Sequence, residues 1–253
     1  MKLIVDERHV GPSEEAWDVR MSGESMDRLS LEHVRRLVVV APHPDDEVLG
    51  AGGLIQEALR EGVLVEVISV TNGEASHPRS QTALEMDLAN VRRRESQLAL
   101  QRLGWDQPLV TFLDLPDGDV FSHRQELDDA LESMLLPDDL CVAPWRNDGH
   151  PDHDVCGESA QRASLRVGAK SLGYLVWTWH WAHPDGHEIP FERCLRLDLG
   201  RRAQARKRWS TEAFRSQVLP LGPSKADQAI LPAPLLRRFW RPYEIFVSEA
   251  AKS

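Results

Sequence analysis

The feature that most narrows the fold is a repeated exchange of short apolar runs and longer amphipathic stretches. After Arg36, "LVVVA" suits a buried strand, and residues 49–61 carry a helical pattern that ends at Gly62. The runs 63–71, 109–115, 140–144 and 171–181 ("SLGYLVWTWHW") predict four further strands, with helices over 82–103, 123–136 and 152–168 between them. In the 82–103 helix, Leu84, Leu88, Val91, Leu98 and Leu103 form the expected buried stripe. Strands separated by helices of this length predict an α/β fold, a Rossmann-like, mostly parallel sheet with helices on both faces. Residues 1–34 are expected to be an N-terminal extension, 35–218 the functional domain, and the proline-rich 219–253 a C-terminal arm or cap packed on that domain.

Composition restricts the partners. A formal net charge of −10 over 253 residues opposes binding to nucleic acid or to an anionic membrane. Three widely spaced cysteines suggest no disulfide framework and suit a reducing cytoplasm. The start "MKLIVDERHV" has too short an apolar run and too many charges for a signal peptide to be expected, and no apolar run is long enough for a membrane span.

In parallel sheets, ligands bind beyond the carboxyl ends of the strands. The loops 42–47, 72–79, 114–119 and 145–153 are therefore expected to converge, and they hold most of the unusual chemistry. The first contains "HPDDE" and the last "GHPDHD". Three adjacent carboxylates repel one another, which implies a positive partner. One histidine and one carboxylate from the first loop with one histidine from the second would make an open two-His, one-carboxylate site suited to catalytic Zn2+. Either loop alone is also explained by a turn with an acidic helix cap. Two such loops at strand ends are not.

"PHPDDEVLGAGG" together with "GHPDHD" resembles the PIG-L (LmbE-like) family of zinc-dependent N-deacetylases. "VTNGEAS", "VRRRESQLALQRLG", "FLDLPDG" and "ARKRWSTEAFRSQ" resemble further family segments, so the resemblance covers about residues 36–218. It implies a zinc deacetylase domain over 35–218, with His43, Asp46 and His153 as metal ligands and Asp45 as general base. It also implies that His150 helps to hold the reacting carbonyl, that Asp152 is its supporting acid, and that Arg92 and Asp117 contact substrate. Some members carry tyrosine where this chain has Asp148, so any role of that tyrosine is missing or replaced. Zn2+ would lower the pKa of water to about 7 and polarise the amide. Asp45 would move protons, and a protonated His150, favoured by Asp152, would share the oxyanion charge. Glu47 is expected to cap the next helix or orient a ligand.

Other features have plainer readings. "GAGG" at 50–53 lies too far beyond its strand for a dinucleotide loop and suits tight helix–sheet packing. In a strand, Trp177, Trp179 and Trp181 would share one face, as a sugar-stacking wall or as a partly buried sheet surface. His180, His183 and His187 are more simply loop residues than a second metal site, and "RRAQARKR" the exposed side of a helix. The expected activity is removal of an acetyl group from an N-acetylated amino sugar or glycoconjugate, with a homo-oligomer left open. The alternatives are a Rossmann-like nucleotide- or methyl-donor-binding protein, a metal-binding protein without turnover, and another metal-dependent amide or phosphoester hydrolase.

Overall fold

The computed structural model describes residues 11–248. Within them an eight-stranded sheet has the order β1-β7-β8-β6-β5-β2-β3-β4. The strands are β1 Asp27–Arg28, β2 Arg36–Ala41, β3 Leu64–Ser69, β4 Val110–Phe112, β5 Leu140–Pro144, β6 Lys170–Tyr174, β7 Cys194–Asp198 and β8 Tyr243–Ser248. All pairings are parallel except those of β8, which runs antiparallel to β6 and β7. The helices are α1 Glu14–Ser22, α2 Asp46–Glu61, α3 Gln81–Glu85, α4 Leu88–Leu103, α5 Arg124–Met134, α6 Pro151–Val167, α7 Thr178–Trp181, α8 Arg201–Thr211, α9 Arg215–Val218 and α10 Ala233–Leu236. No helix among the described residues is long and apolar enough to cross a membrane.

β2 shows why its sequence is apolar throughout. Leu37, Val39 and Ala41 join the core beneath α2 and α4, while Val38 and Val40 join a second core with Leu127 and Leu131 of α5 and Val155 and Ala160 of α6. A strand covered on both faces has no solvent side and so no alternation. β2 also sets the topology. The chain proceeds from β2 to β3 and β4 on one side, then returns to β5 and β6 on the other. The crevice beyond the carboxyl ends of β2 and β5 is thus the topological switch point, where such sheets bind ligands.

Four expectations need correction. The 82–103 helix is two helices, because Asp87 accepts the Asn90 amide at 3.2 Å and caps a new start. Its buried stripe also differs: Leu84 and Leu98 are exposed, and α4 buries Leu88, Arg92, Glu95, Ser96, Ala99, Leu100 and Leu103. The 171–181 strand stops at Tyr174 and gives way to α7, so the three tryptophans share no strand face. Finally, the terminal segments contribute to the sheet. β1 pairs with β7, Trp17 of α1 is fully buried, and β8 lies between β6 and β7.

Candidate metal centre

The loop from β2 to α2 is bent sharply. Asp45, the residue before the helix, has φ 148° and ψ −29°, a conformation that costs a non-glycine residue roughly 1–3 kcal/mol. Surrounding contacts hold it there. Its amide donates to Glu47 Oε2 at 2.9 Å, and Glu47 Oε1 accepts from Ser96 Oγ at 2.5 Å. Arg92 Nη2 donates to Asp45 Oδ2 and to the Pro44 carbonyl, both at 2.9 Å, while Nη1 donates to the Gly73 carbonyl at 2.8 Å. Gly73 has φ 65°, and a Cβ there would run into the Arg92 guanidinium. Arg92 is buried and clamps two strand-end loops together.

This bend brings His43 and Asp46 to His153 of α6. Asp46 Oδ2 lies 3.2 Å from His43 Nδ1 and 3.2 Å from His153 Nε2, and the two nitrogens are 3.4 Å apart. Ligand atoms at about 2.0–2.1 Å from a tetrahedral zinc stand about 3.3 Å from each other. The three donors therefore fit one face of such a site. Each imidazole gives its other nitrogen to carboxylates. His43 Nε2 meets Asp117 Oδ1 at 3.2 Å and Asp152 Oδ2 at 3.3 Å, and His153 Nδ1 meets Asp148 Oδ2 at 2.8 Å. Such carboxylate–imidazole pairs set the ligand tautomer and orientation.

The electrostatics suit a cation. Burial opposes charge on both histidines, but the hydrogen bonds to Asp117, Asp152 and Asp46 raise the pKa of His43 well above its ordinary value. Asp46 and Asp148 likewise push His153 up to about 9. Asp46 is itself held below the usual carboxylate range, since His153 and His43 outweigh its burial. One divalent cation can replace the two imidazole protons at equal charge.

The remaining expected residues gather around this triangle. Burial pushes Asp45 up to about 7 against the pull of Arg92. The His150 ring lies 5.0 Å from that of His43 and 4.8 Å from that of His153, centroid to centroid. Its Nδ1 accepts the Asp152 amide at 3.2 Å, making it the N-cap of α6. Burial, then the neighbouring cationic histidines, depress its pKa to about 3. The Asp152 carboxylate is bonded to His43 and to the amides of Gly118 and Val120 at 2.9 and 3.3 Å. Its hydrogen bonds thus go to His43 and these two amides, while its charge acts on His150 only through space. Asp117 accepts the Ala75 amide at 2.7 Å besides its contact with His43.

Asp148 was legible only as a departure from some relatives, yet it is fully buried and supports His153. The available signal was a carboxylate two residues before one candidate histidine and five before the other. The glycine segment is tightly packed as expected, with Gly50 against the Tyr174 ring and Gly53 against Leu199. The 201–208 helix exposes most of its arginines but buries Lys207, which bonds Glu244 at 2.6 Å and the Leu49 carbonyl at 2.8 Å. Trp179 packs edge-on against Trp17, Trp181 donates to the Asp148 carbonyl, and Trp177 alone faces the His150 ring. Among the described residues, His183 and His187 belong to no cluster able to hold a metal.

A mostly parallel α/β sheet carrying a two-His, one-carboxylate cluster at its switch point defines the class. The chain belongs to the PIG-L family, described as GlcNAc-PI de-N-acetylase, whose match covers residues 38–164. It is 31% identical over 141 residues to a probable N-acetyl-alpha-D-glucosaminyl L-malate deacetylase 2 of Bacillus subtilis, covering 53% of this chain and 62% of that protein. It is 28% identical over 170 residues to the 1D-myo-inositol 2-acetamido-2-deoxy-alpha-D-glucopyranoside deacetylase of Mycobacteroides abscessus, covering 57% and 60% of the two chains. The chain thus spans about three fifths of the length of these relatives. The A40926 pseudoaglycone deacetylase Dbv21 shares the fold, with a TM-score of 0.63 at 22% identity over 86% of this chain and 99% of that one.

Proposed function

We propose that this protein is a metal-dependent hydrolase that removes the acetyl group from an N-acetylated amino sugar or glycoconjugate, with Zn2+ as the metal. The observation that carries this reading is the donor triangle of His43, Asp46 and His153, with a strained, buried carboxylate, Asp45, beside it. A zinc ion held by these three residues would supply Lewis acidity toward water and the amide carbonyl. The names of the relatives support the acetylated amino sugar as substrate. The buried cysteines agree with a reducing cytoplasm.

The chain's own groups divide the rest of the work. Asp45 accepts a proton from the attacking water and passes it to the leaving nitrogen. Arg92 holds that carboxylate and Glu47 holds the Asp45 backbone amide, so Arg92 is a positioning residue in this scheme. His150 uses Nδ1 as an acceptor, which leaves Nε2–H as a neutral donor for the oxygen that gains charge. Asp152 and Asp117 orient His43, and Asp148 orients His153.

The test is acetate release by the zinc-loaded protein. N-acetylglucosamine glycosides, acetyl-lysine peptides and acetylated polyamines are compared at equal concentration. Preferential release from the glycosides is expected. Preferential release from peptides or polyamines overturns the sugar assignment, and no release from any amide overturns the deacetylase reading.

A further inference from the structure

Asp148 supports more than a candidate metal ligand. Its Oδ2 meets His153 Nδ1 at 2.8 Å and accepts the Trp177 amide at 2.9 Å. Its Oδ1 accepts the amides of Val176 and Thr178 at 2.9 and 3.0 Å and the Thr178 hydroxyl at 2.7 Å. A carboxylate offers about four lone-pair positions, so Asp148 is saturated. These bonds end β6 and turn the chain into α7. The turn presents Trp177 to the centre, where its ring lies 6.1 Å from that of His150 at an interplanar angle of 24°. His180 flanks the same indole at 5.7 Å. Trp177 is half-buried, whereas Val176, Thr178 and Trp179 around it are buried.

We infer that Asp148 is a positioning residue shared by two parts of the site, aligning His153 for the metal while holding Trp177 as the platform for the substrate ring. The inference rests on the amino-sugar reading above. A pyranose has an apolar C–H face that an indole can cover, and an acyl group attached to that ring would extend toward His150. The two roles share one carboxylate, so altering Asp148 should disturb metal affinity and ring recognition together. Altering Trp177 should disturb only the second.

Asparagine at 148 keeps the shape but sets an NH2 group against N–H donors. The experiment measures the Zn2+ dissociation constant by competition with a chromophoric chelator for wild type, Asp148→Asn, Thr178→Val and Trp177→Ala. It also measures kcat and KM on methyl N-acetyl-β-D-glucosaminide and on acyclic N-acetylethanolamine. Asp148→Asn should weaken zinc binding about 10–100-fold and raise KM for the glycoside. Trp177→Ala should bind zinc normally and raise KM for the glycoside about tenfold, without effect on the acyclic amide. Thr178→Val removes one bond to Oδ1 and spares His153. It should raise glycoside KM about 2–10-fold with zinc affinity unchanged, and it keeps the inference testable if Asp148→Asn does not fold. Wild-type zinc affinity in folded Asp148→Asn overturns the alignment role. Equal losses on both substrates in Trp177→Ala, or an unchanged glycoside KM in Thr178→Val, overturn the platform role. If the wild type hydrolyses neither compound, the deacetylase reading falls, while the zinc measurements still decide whether Asp148 aligns His153.

Discussion

The chain contains His-Pro-Asp at 43–45, at 150–152 and at 183–185. The first two come after adjacent parallel strands and precede helices, yet their residues do different things. In the first, Asp45 stands at the cap and α2 begins at Asp46, three residues after the histidine. In the second, His150 is itself the cap and α6 begins at Pro151. This offset of two residues rotates the succeeding side chains by about 200° around the helix. Hence the histidine of the first tripeptide joins the donor triangle, but that of the second accepts a backbone amide while His153 reaches the centre. Asp45 turns to Arg92 and Asp152 turns to His43. The third tripeptide runs into Gly186 with no helix after it, and both His183 and Asp185 are exposed. The residue types alone do not make a ligand; the start of the adjoining helix assigns the roles.

The sharpest way to break this comparison is to remove one histidine from each loop. His43→Ala and His153→Ala should each lose most of the bound zinc and essentially all turnover, because affinity depends on ligand count and geometry. His183→Ala should match the wild type in both. Elemental analysis of the purified proteins decides it, and unchanged zinc in His153→Ala would remove that residue from the ligand set.

The two aspartates of the tripeptides give the next contrast. Asp45→Asn should keep zinc but lose about 10²–10⁴-fold in kcat, the usual cost of a missing general base. Since burial pushes Asp45 up to about 7, the wild-type rate should rise with pH as this carboxyl ionises, and the acid limb should vanish in the residual activity of the variant. Asp152→Asn should instead weaken zinc binding through His43. His150→Ala, which loses a neutral donor, should keep zinc and lose about 10²–10³-fold in kcat. A rate profile in which His150 must be protonated would contradict the neutral role.

The same residues show how much of the molecule was legible in the sequence. β2 and β5 are apolar on both faces, and the histidines lie in the loops and helix starts that follow them, two residues beyond β2 and six and nine beyond β5, so a parallel sheet and a converging site could be read locally. β8 could not, because its partners β6 and β7 lie far away in sequence and "YEIFVS" comes after a proline-rich stretch that suggests an irregular arm. The tryptophan run misled for a related reason. Its alternation fits a strand, but the donors at 176–178 are satisfied by the side chain of Asp148, which ends the ladder at Tyr174. A carboxylate that replaces a strand partner leaves no periodic signature.

The smallest effect concerns His180, a buried histidine whose hydrogen bond is to an arginine and not to a carboxylate as at the metal centre. His180 is buried beside Trp177, and its Nδ1 accepts from Arg238 Nε at 2.9 Å. Where carboxylates raise the pKa of His43 and His153, burial and then the Arg238 charge push His180 down to about 3. An unfolded histidine titrates near 6.5, so below that pH the unfolded chain binds the extra proton and the folded chain does not. The stabilisation is complete above pH 6.5 and is lost as pH falls toward 3, amounting to roughly 2 kcal/mol lost at pH 5. His180→Asn retains an acceptor for Arg238 but cannot titrate. Its Tm should therefore fall less than that of the wild type between pH 7 and pH 5 when both are followed by calorimetry. Parallel declines in the two proteins would show that His180 takes up its proton in the folded state as readily as in the unfolded one.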